Sequence, residues 1–325
     1  MPIARRHHYV PRCYLKAFSV QRKAKRRIHV FDKKTRQTFE TATDNVALQS
    51  DFNTVKVDGV ESDIFEKSIA EFESDLAPAL ERIIATKSLK QNADHYAILL
   101  NFVTMLALRN PRQREQVRDF HERVAKQIMN LALSTPERWA HQVKKATEAG
   151  FLSKDADMSY ESMKKFVAEE NYTISVPNER QIALEVATFD KLLPLIFRRG
   201  WVLLKAPKDS GGFVTSDHPV CLTTVGGAPS IAHRPGYGLR STEVLFPLSP
   251  KLALVGAFET SDGEAEIEED MVAIFNGTVA TFAERQVYAR DYHFHYAFRE
   301  GEPYRKASKL VSDPKFLRAT DYVDE

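Results

Sequence analysis

From Glu61 to Thr86, the residues Ile64, Phe65, Ile69, Phe72, Leu76, Leu80, Ile83 and Ile84 recur at steps of three and four. That is the period of a helix with one buried face. Pro78 falls inside the run, where a missing N–H and a ring clash predict a kink or a split. The run that opens at Ala93 is apolar nearly all round through Ile98, Leu99, Leu100, Phe102, Val103, Met105, Leu106 and Leu108. Such breadth predicts a central, buried helix. Pro111 interrupts it after Arg109-Asn110, and a charged amphipathic continuation reaches about Leu133. Further helices are expected at 136–149, 159–170 and 179–199.

On either side of this helical middle the period shortens. Residues 27–32 alternate and are β-branched or aromatic, Lys33 to Arg36 makes a turn, and Gln37 to Thr41 returns. This predicts a β-hairpin with basic residues on its outer face. A further strand is expected from Phe52 to Val57, and Pro11 suits the first turn of a short helix carrying Tyr14, Leu15 and Phe18. After Gly200, strands are expected at 201–206, 212–216, 244–248 and 252–256. Turn glycines part them, Gly211-Gly212 and Gly226-Gly227 among them. A helix at 268–286 and a strand-like tail with Tyr288, Tyr292, Phe294 and Tyr296 follow. The order reads as α+β: a central helical bundle flanked by β-hairpin and sheet pieces from the N- and C-terminal parts. One domain, 1–325, is expected, with a hairpin entry at 1–58, a helical middle at 60–199 and a strand-rich part at 200–325, all one cooperative unit.

With 325 residues, 43% hydrophobic and 28% charged, the chain can bury a core without metal or disulfide staples. Its two cysteines, Cys13 and Cys221, form no framework and no CxxC, which favours a reducing compartment. No stretch approaches the roughly 18 apolar residues of a membrane span. The basic opening lacks the apolar core of an export signal. The expected location is the cytoplasm, with no membrane partner; no pattern fixes an oligomeric state.

The net charge is +2, yet residues 1–36 hold twelve Lys or Arg against the single acid Asp32, a local +11. Asp262 to Asp270 is the acidic counterweight. The basic segment points to nucleic acid or another phosphate-bearing partner, with Arg26 and Arg27 of the hairpin as contacts. The plainer alternative is a solvated face or a patch that meets the acidic segment.

Signatures of phosphate loops, dinucleotide folds, zinc hydrolases, serine hydrolases and deaminases are absent. Three constellations remain. His7-His8 precedes a helix start; on an extended segment the two point to opposite sides, one toward the core and one toward a cleft. Either suits general acid–base work, while the bland reading is a solvated pair. Thr215-Ser216-Asp217-His218-Pro219 ends an apolar strand. Asp217 there is a candidate orienter, metal ligand or base, with Ser216 and His218 as substrate contacts; the alternative is an Asx-type turn. Arg109 ends a greasy helix and suits an anion clamp, or else an ion pair with Glu61 or Glu71. Asn276, an amide among Ile274, Phe275 and Val279, must find partners in structure or substrate. A divalent metal ion is a candidate cofactor with no assigned ligand set. The Arg–polar–x₃–His arrangement of helical HEPN-type endoribonucleases is not met: Arg114 stands where the histidine belongs, and His121 is too far along.

The opening Arg5-Arg6-His7-His8-Tyr9-Val10-Pro11-Arg12-Cys13-Tyr14-Leu15-Lys16-Ala17-Phe18 resembles that of a bacterial family described as domain of unknown function 4238, whose members begin HHYVP-x-x-YL-x-x-F. The similarity continues in order. It takes in Ile28 to Lys33, a helix with Glu61 and Glu73, and Leu108-Arg109-Asn110-Pro111-Arg112. It goes on through Trp201, Phe213 to Val220, Phe246-Pro247-Leu248-Ser249-Pro250 and Asn276, and so covers roughly 1–285. Cys13 stands where a bulky or aromatic residue is usual. The resemblance implies one cooperative unit and supplies no reaction. The residues themselves point to a phosphodiester hydrolase, a nuclease of RNA or DNA. In it His7 or His8 is general acid or base, Asp217 orienter or metal ligand, Arg109 the phosphate clamp and the hairpin the guide. The alternatives are a non-catalytic nucleic-acid-binding or regulatory protein, and a purely structural motif.

Overall fold

A computed structural model describes residues 6–153, 158–170, 172–225 and 235–318. The chain opens with β1 (Arg6–His8), α1 (Arg12–Leu15), β2 (Val20–Arg22), β3 (Lys25–Asp32), β4 (Gln37–Ala42) and β5 (Leu48–Ser50). Its helical middle is α2 (Ile64–Thr86), α3 (Ala93–Leu108), α4 (Pro111–Ala132), α5 (Pro136–Glu148), α6 (Tyr160–Ala168) and α7 (Asn178–Phe197). There follow β6 (Gly200–Lys205), β7 (Thr215–Ser216), β8 (Cys221–Thr224), β9 (Thr242–Ser249), β10 (Leu252–Ala257) and β11 (Gly263–Glu266). The last stretch is α8 (Glu269–Phe282), β12 (Gln286–Ala289), β13 (His295–Tyr296), β14 (Arg305–Lys306) and α9 (Pro314–Arg318). The architecture is α+β, as the change of period indicates.

Two compact units form: residues 1–111 with 182–325, and residues 112–181. In the first, one sheet has the order β11-β6-β10-β9-β8. A second joins both ends of the chain, because β3 pairs with β4 as the expected hairpin and also with β12, which pairs with β7. Side chains lock this closure. Asp32 accepts from Arg285 Nε at 2.8 Å and Gln286 Nε2 at 2.7 Å, and Lys33 Nζ donates to the Ala283 carbonyl. Beneath the sheets lies α3, capped by Asn92, whose side chain accepts the His95 N–H, and buried from Leu99 to Ala107 except at Asn101.

The second unit holds most of α4 together with α5 and α6. Thr135 and Ser159 cap the latter two, and Trp139 donates to the Met158 carbonyl at 2.7 Å. Each cap supplies an acceptor for an N–H that the first helical turn leaves open.

Local expectations are corrected in four places, the first being the strand expected at 212–216, which forms only at Thr215–Ser216. No strand forms at 52–57: Asp51 turns with φ +56°, so pairing with β1 ends at Ser50. α2 runs through Pro78 as one helix rather than two. The late helix stops at Phe282, not 286, and Gln286–Ala289 is a strand. The turn expected at Gly226-Gly227 lies outside the described residues. Among the described residues no helix is long and apolar enough to cross a membrane.

Candidate active site

β1 is three residues long, and its pairing with β5 sets His7 opposite Gln49 and His8 opposite Leu48. Successive strand side chains point to opposite faces. His7 turns inward, 1% exposed, and its Nδ1 accepts the Asn53 backbone N–H at 2.9 Å. A ring nitrogen that accepts carries no proton, so neutral His7 is the Nε2–H tautomer. His8 is half-buried, its Nδ1 is enclosed, and its ring is within hydrogen-bonding reach of the Val46 backbone. Burial and then the Arg12 charge push its pKa down to about 4, against Asp44, the Val46 backbone and Glu66. At neutral pH this imidazole is uncharged and keeps a lone pair.

Asn53 joins the parts. Its amide donates to Glu66, and its carbonyl oxygen accepts Arg109 Nε at 3.4 Å. Arg109 caps the end of α3, where the backbone leaves helical geometry. Its fork then reaches back to the motif strand: Nη2 donates to the His8 carbonyl at 2.8 Å and Nη1 to that of Tyr9 at 3.4 Å. The guanidinium also lies 5.6 Å from the Phe52 ring centroid, and Arg109 is buried.

Two carboxylates come from α2. Glu66 and Glu73 are two turns apart on one stripe with Leu80, beside Ile69, Leu76 and Ile83. Burial raises the Glu73 pKa and Glu66 adds to it, while Arg109 and Arg12 oppose. Glu73 feels the Arg109 charge, a structural glutamate of the kind for which Glu61 and Glu71 stood as examples. Glu61 is exposed and pairs with Lys67, and Glu71 is exposed. Burial, then Glu73, pushes the Cys13 thiol up to about 12, so it is no thiolate nucleophile at neutral pH. His8, Glu66, Glu73 and Arg12 thus form one electrostatic neighbourhood, with Arg109 and Asn53 holding it from below.

The Thr215 to Pro219 segment meets the opening motif at Tyr14 and near Tyr9, and its carboxylate is built into the backbone. Asp217 is 3% exposed, and its carboxylate accepts the N–H groups of Glu284, Arg285 and Gln286 at 2.8–2.9 Å. Burial outweighs these bonds and raises its pKa to about 6. It anchors the chain where α8 gives way to β12. Burial, then the Asp217 charge, also raises the Tyr9 phenol, so Asp217 stands near the residue after His8 without joining the cluster. Ser216 Oγ accepts the His218 N–H at 3.1 Å, the expected local turn, and the half-buried His218 ring meets Phe282. Asn276 accepts from Val214 N–H at 2.9 Å and donates to the carbonyls of Gly212 and His295. Next to it a methyl on Gly277 would sit 1.8 Å from the Ala297 carbonyl oxygen, so only glycine permits this approach.

The hairpin carries its charge unevenly. Arg27 donates to Glu40 at 3.0 Å and Arg22 lies 3.2 Å from the same carboxylate, while Lys23, Lys25 and Arg26 are exposed. Arg26 also reaches the Lys16 carbonyl. Among the described residues no group of three or more His, Cys, Asp or Glu side chains is arranged to hold a metal ion.

The structure brings together His7, His8 and Arg109, whereas the side chains of Asp217, Ser216 and Asn276 are engaged with backbone groups. Asn53 and Glu66 escaped the sequence reading, Arg12 entered it only in the basic count and the resemblance, and Glu73 only through the resemblance. A signal existed for the two acids, since carboxylates repeating every seven residues on an apolar helix stripe must be buried or face a site. Asn53 gave none.

The profile of a family described as "Protein of unknown function (DUF4238)" matches residues 6–293. No curated protein matches the chain, and no solved structure does.

Proposed function

We propose that this chain, which belongs to the DUF4238 family of proteins of unknown function, is a phosphodiester hydrolase acting on RNA or DNA through His8, Glu66 and Glu73. One observation carries the reading: the uncharged, half-buried imidazole of His8 and the half-buried Glu73 both feel the charges of Glu66 and of the exposed Arg12. Water attacks phosphorus as His8 takes its proton; the bond from phosphorus to the leaving alkoxide breaks, and Glu73, whose raised pKa favours the acid form, supplies that oxygen's proton. A phosphodiester entering beside Arg12, which is paired with Asp44 at 3.0 Å, offsets the smaller of the two causes that depress His8, burial being the larger. Glu66, held by Asn53, adds like-charge repulsion to the burial that raises the Glu73 pKa. Arg109 and His7 are positioning residues. The exposed lysines of the hairpin guide the polyanion. Two free cysteines fit a reducing compartment, and we take the cytoplasm as the place of action.

The test is cleavage of single-stranded and duplex RNA and DNA by purified protein, with and without Mg²⁺ or Mn²⁺. Cleavage is expected, reduced about 100-fold or more by His8→Ala and by Glu73→Gln. Intact nucleic acid under every condition ends the reading. The second reading, a non-catalytic nucleic-acid-binding or regulatory protein, draws on the exposed Lys23, Lys25 and Arg26.

A further inference from the structure

Beside the His8 cluster, α2, α3 and α7 enclose an open groove of about 210 Å³. Phe65, Phe72, Phe189 and Met105 form its apolar wall, and Asn101, Glu185 and Arg109 bring polar groups to it. An apolar cavity of roughly 150 Å³ takes a benzene ring, so this one accepts a single ring system. Two features tie it to the reacting centre. Phe65 and Phe72 precede Glu66 and Glu73 directly, so groove and carboxylates are adjacent strips of one helix. Arg109 lines the groove and also holds the His8 carbonyl.

The lining is almost wholly apolar, with the Asn101 side chain among its few polar groups. Phenyl faces accept any flat aromatic ring, and the bases of single strands stack on such side chains. Asn101 donates its amide to the Ala97 carbonyl at 2.8 Å, which leaves its own oxygen as an acceptor for a base edge. An alkyl chain would cover that oxygen without answering it, at the cost of burying a polar group against hydrocarbon. A paired base cannot enter without leaving its stack. We infer that the groove seats one unpaired nucleobase of a single-stranded substrate, beside the phosphodiester that His8 and Glu73 act on. This rests on the hydrolase reading above.

Two measurements separate the claims. In the first, a single-stranded oligonucleotide, the same strand with an abasic position, and its duplex are offered for cleavage. The abasic and duplex forms are expected to be cut at least tenfold more slowly. In the second, nucleoside monophosphates are titrated calorimetrically, with no turnover required. Phe72→Ala is expected to weaken binding about tenfold, and Phe72→Leu, which keeps apolar bulk and removes the ring face, to weaken it as well. Equal cleavage of intact and abasic strands, with His8→Ala still inactive, overturns the base site and leaves the hydrolase standing. Phe72-dependent nucleotide binding without any cleavage supports the base site and overturns the hydrolase. Uptake of an apolar dye that nucleotides do not displace overturns the base site in favour of a wholly apolar ligand.

Discussion

Arg109 Nη2 donates to the His8 carbonyl at 2.8 Å, fastening the last turn of α3 to a strand 101 residues earlier in the chain. The same guanidinium holds Tyr9 and Asn53, so it ties the end of β1 to the turn that follows β5. Removing it strands buried carbonyls, each costing about 1–3 kcal/mol. Arg109→Ala is expected to lower stability by about 3 kcal/mol in urea denaturation. Arg109→Lys keeps the charge without the fork and is expected to remain more than about 1 kcal/mol below the parent. A lysine variant as stable as the parent would show that charge alone matters there.

Tyr14 is the meeting point of three motifs that lie far apart in sequence. Its hydroxyl donates to the Pro247 carbonyl at 2.7 Å and shares a 2.7 Å bond with Thr215 Oγ1, and its ring stacks on Phe246 at 5.3 Å. Tyr14→Phe keeps the ring and removes both bonds, for an expected loss of about 1–2 kcal/mol. Thr215→Val should cost less once Tyr14→Phe is present, because the two share one bond. Strict additivity in that double-mutant cycle would contradict the shared bond.

These two cases show why the fold was more legible in the sequence than the site. α2 and α3 announced themselves because their buried faces repeat at the helical period, and the β3–β4 hairpin because its strands alternate. Neither the β3–β12 pairing nor the Asp32–Arg285 tie leaves a periodic trace, since each joins residues more than 250 positions apart. The motif histidines were visible as polar residues in odd places, yet their neighbours depended on tertiary contacts. Asn53 sits in an ordinary turn, and only the folded chain shows it meeting His7, Arg109 and Glu66. Asp217 reads alike in sequence as a working acid or as a backbone anchor. What separates the two is which three N–H groups α8 and β12 bring to it.

The binding-only reading makes its own demand on the hairpin. Lys23, Lys25 and Arg26 are exposed, whereas Arg22 and Arg27 are tied to Glu40. Each phosphate left without its cation lowers the slope of log K against log salt by about 0.7–0.9. Replacing Lys23, Lys25 and Arg26 with Gln is expected to reduce the slope for RNA binding by about two or three. Arg27→Gln should change it little, because that charge already has a partner. An unchanged slope in the triple variant would remove the hairpin from the interface.

His8 and Asp217 act on stability in opposite directions over nearly the same pH range. His8 is lowered from 6.5 to about 4, so between those values the folded chain binds fewer protons than the unfolded one, and stability rises with pH. Asp217 is raised from 3.8 to about 6, so the folded chain binds more protons there, and stability falls as pH rises by about 3 kcal/mol across the window. In the parent chain the two slopes oppose each other. His8→Gln removes the rising contribution, and its urea midpoint is expected to fall between pH 4 and 6 relative to the parent. Asp217→Asn removes the falling contribution, and its midpoint should rise relative to the parent over the same range, from a lower absolute value because an amide presents one acceptor oxygen to three N–H groups. If both variants track the parent's pH dependence, neither group carries its shifted pKa in the folded chain. An imidazole titration midpoint near 6.5 by NMR would then place His8 in open solvent and remove the neutral base from the cluster.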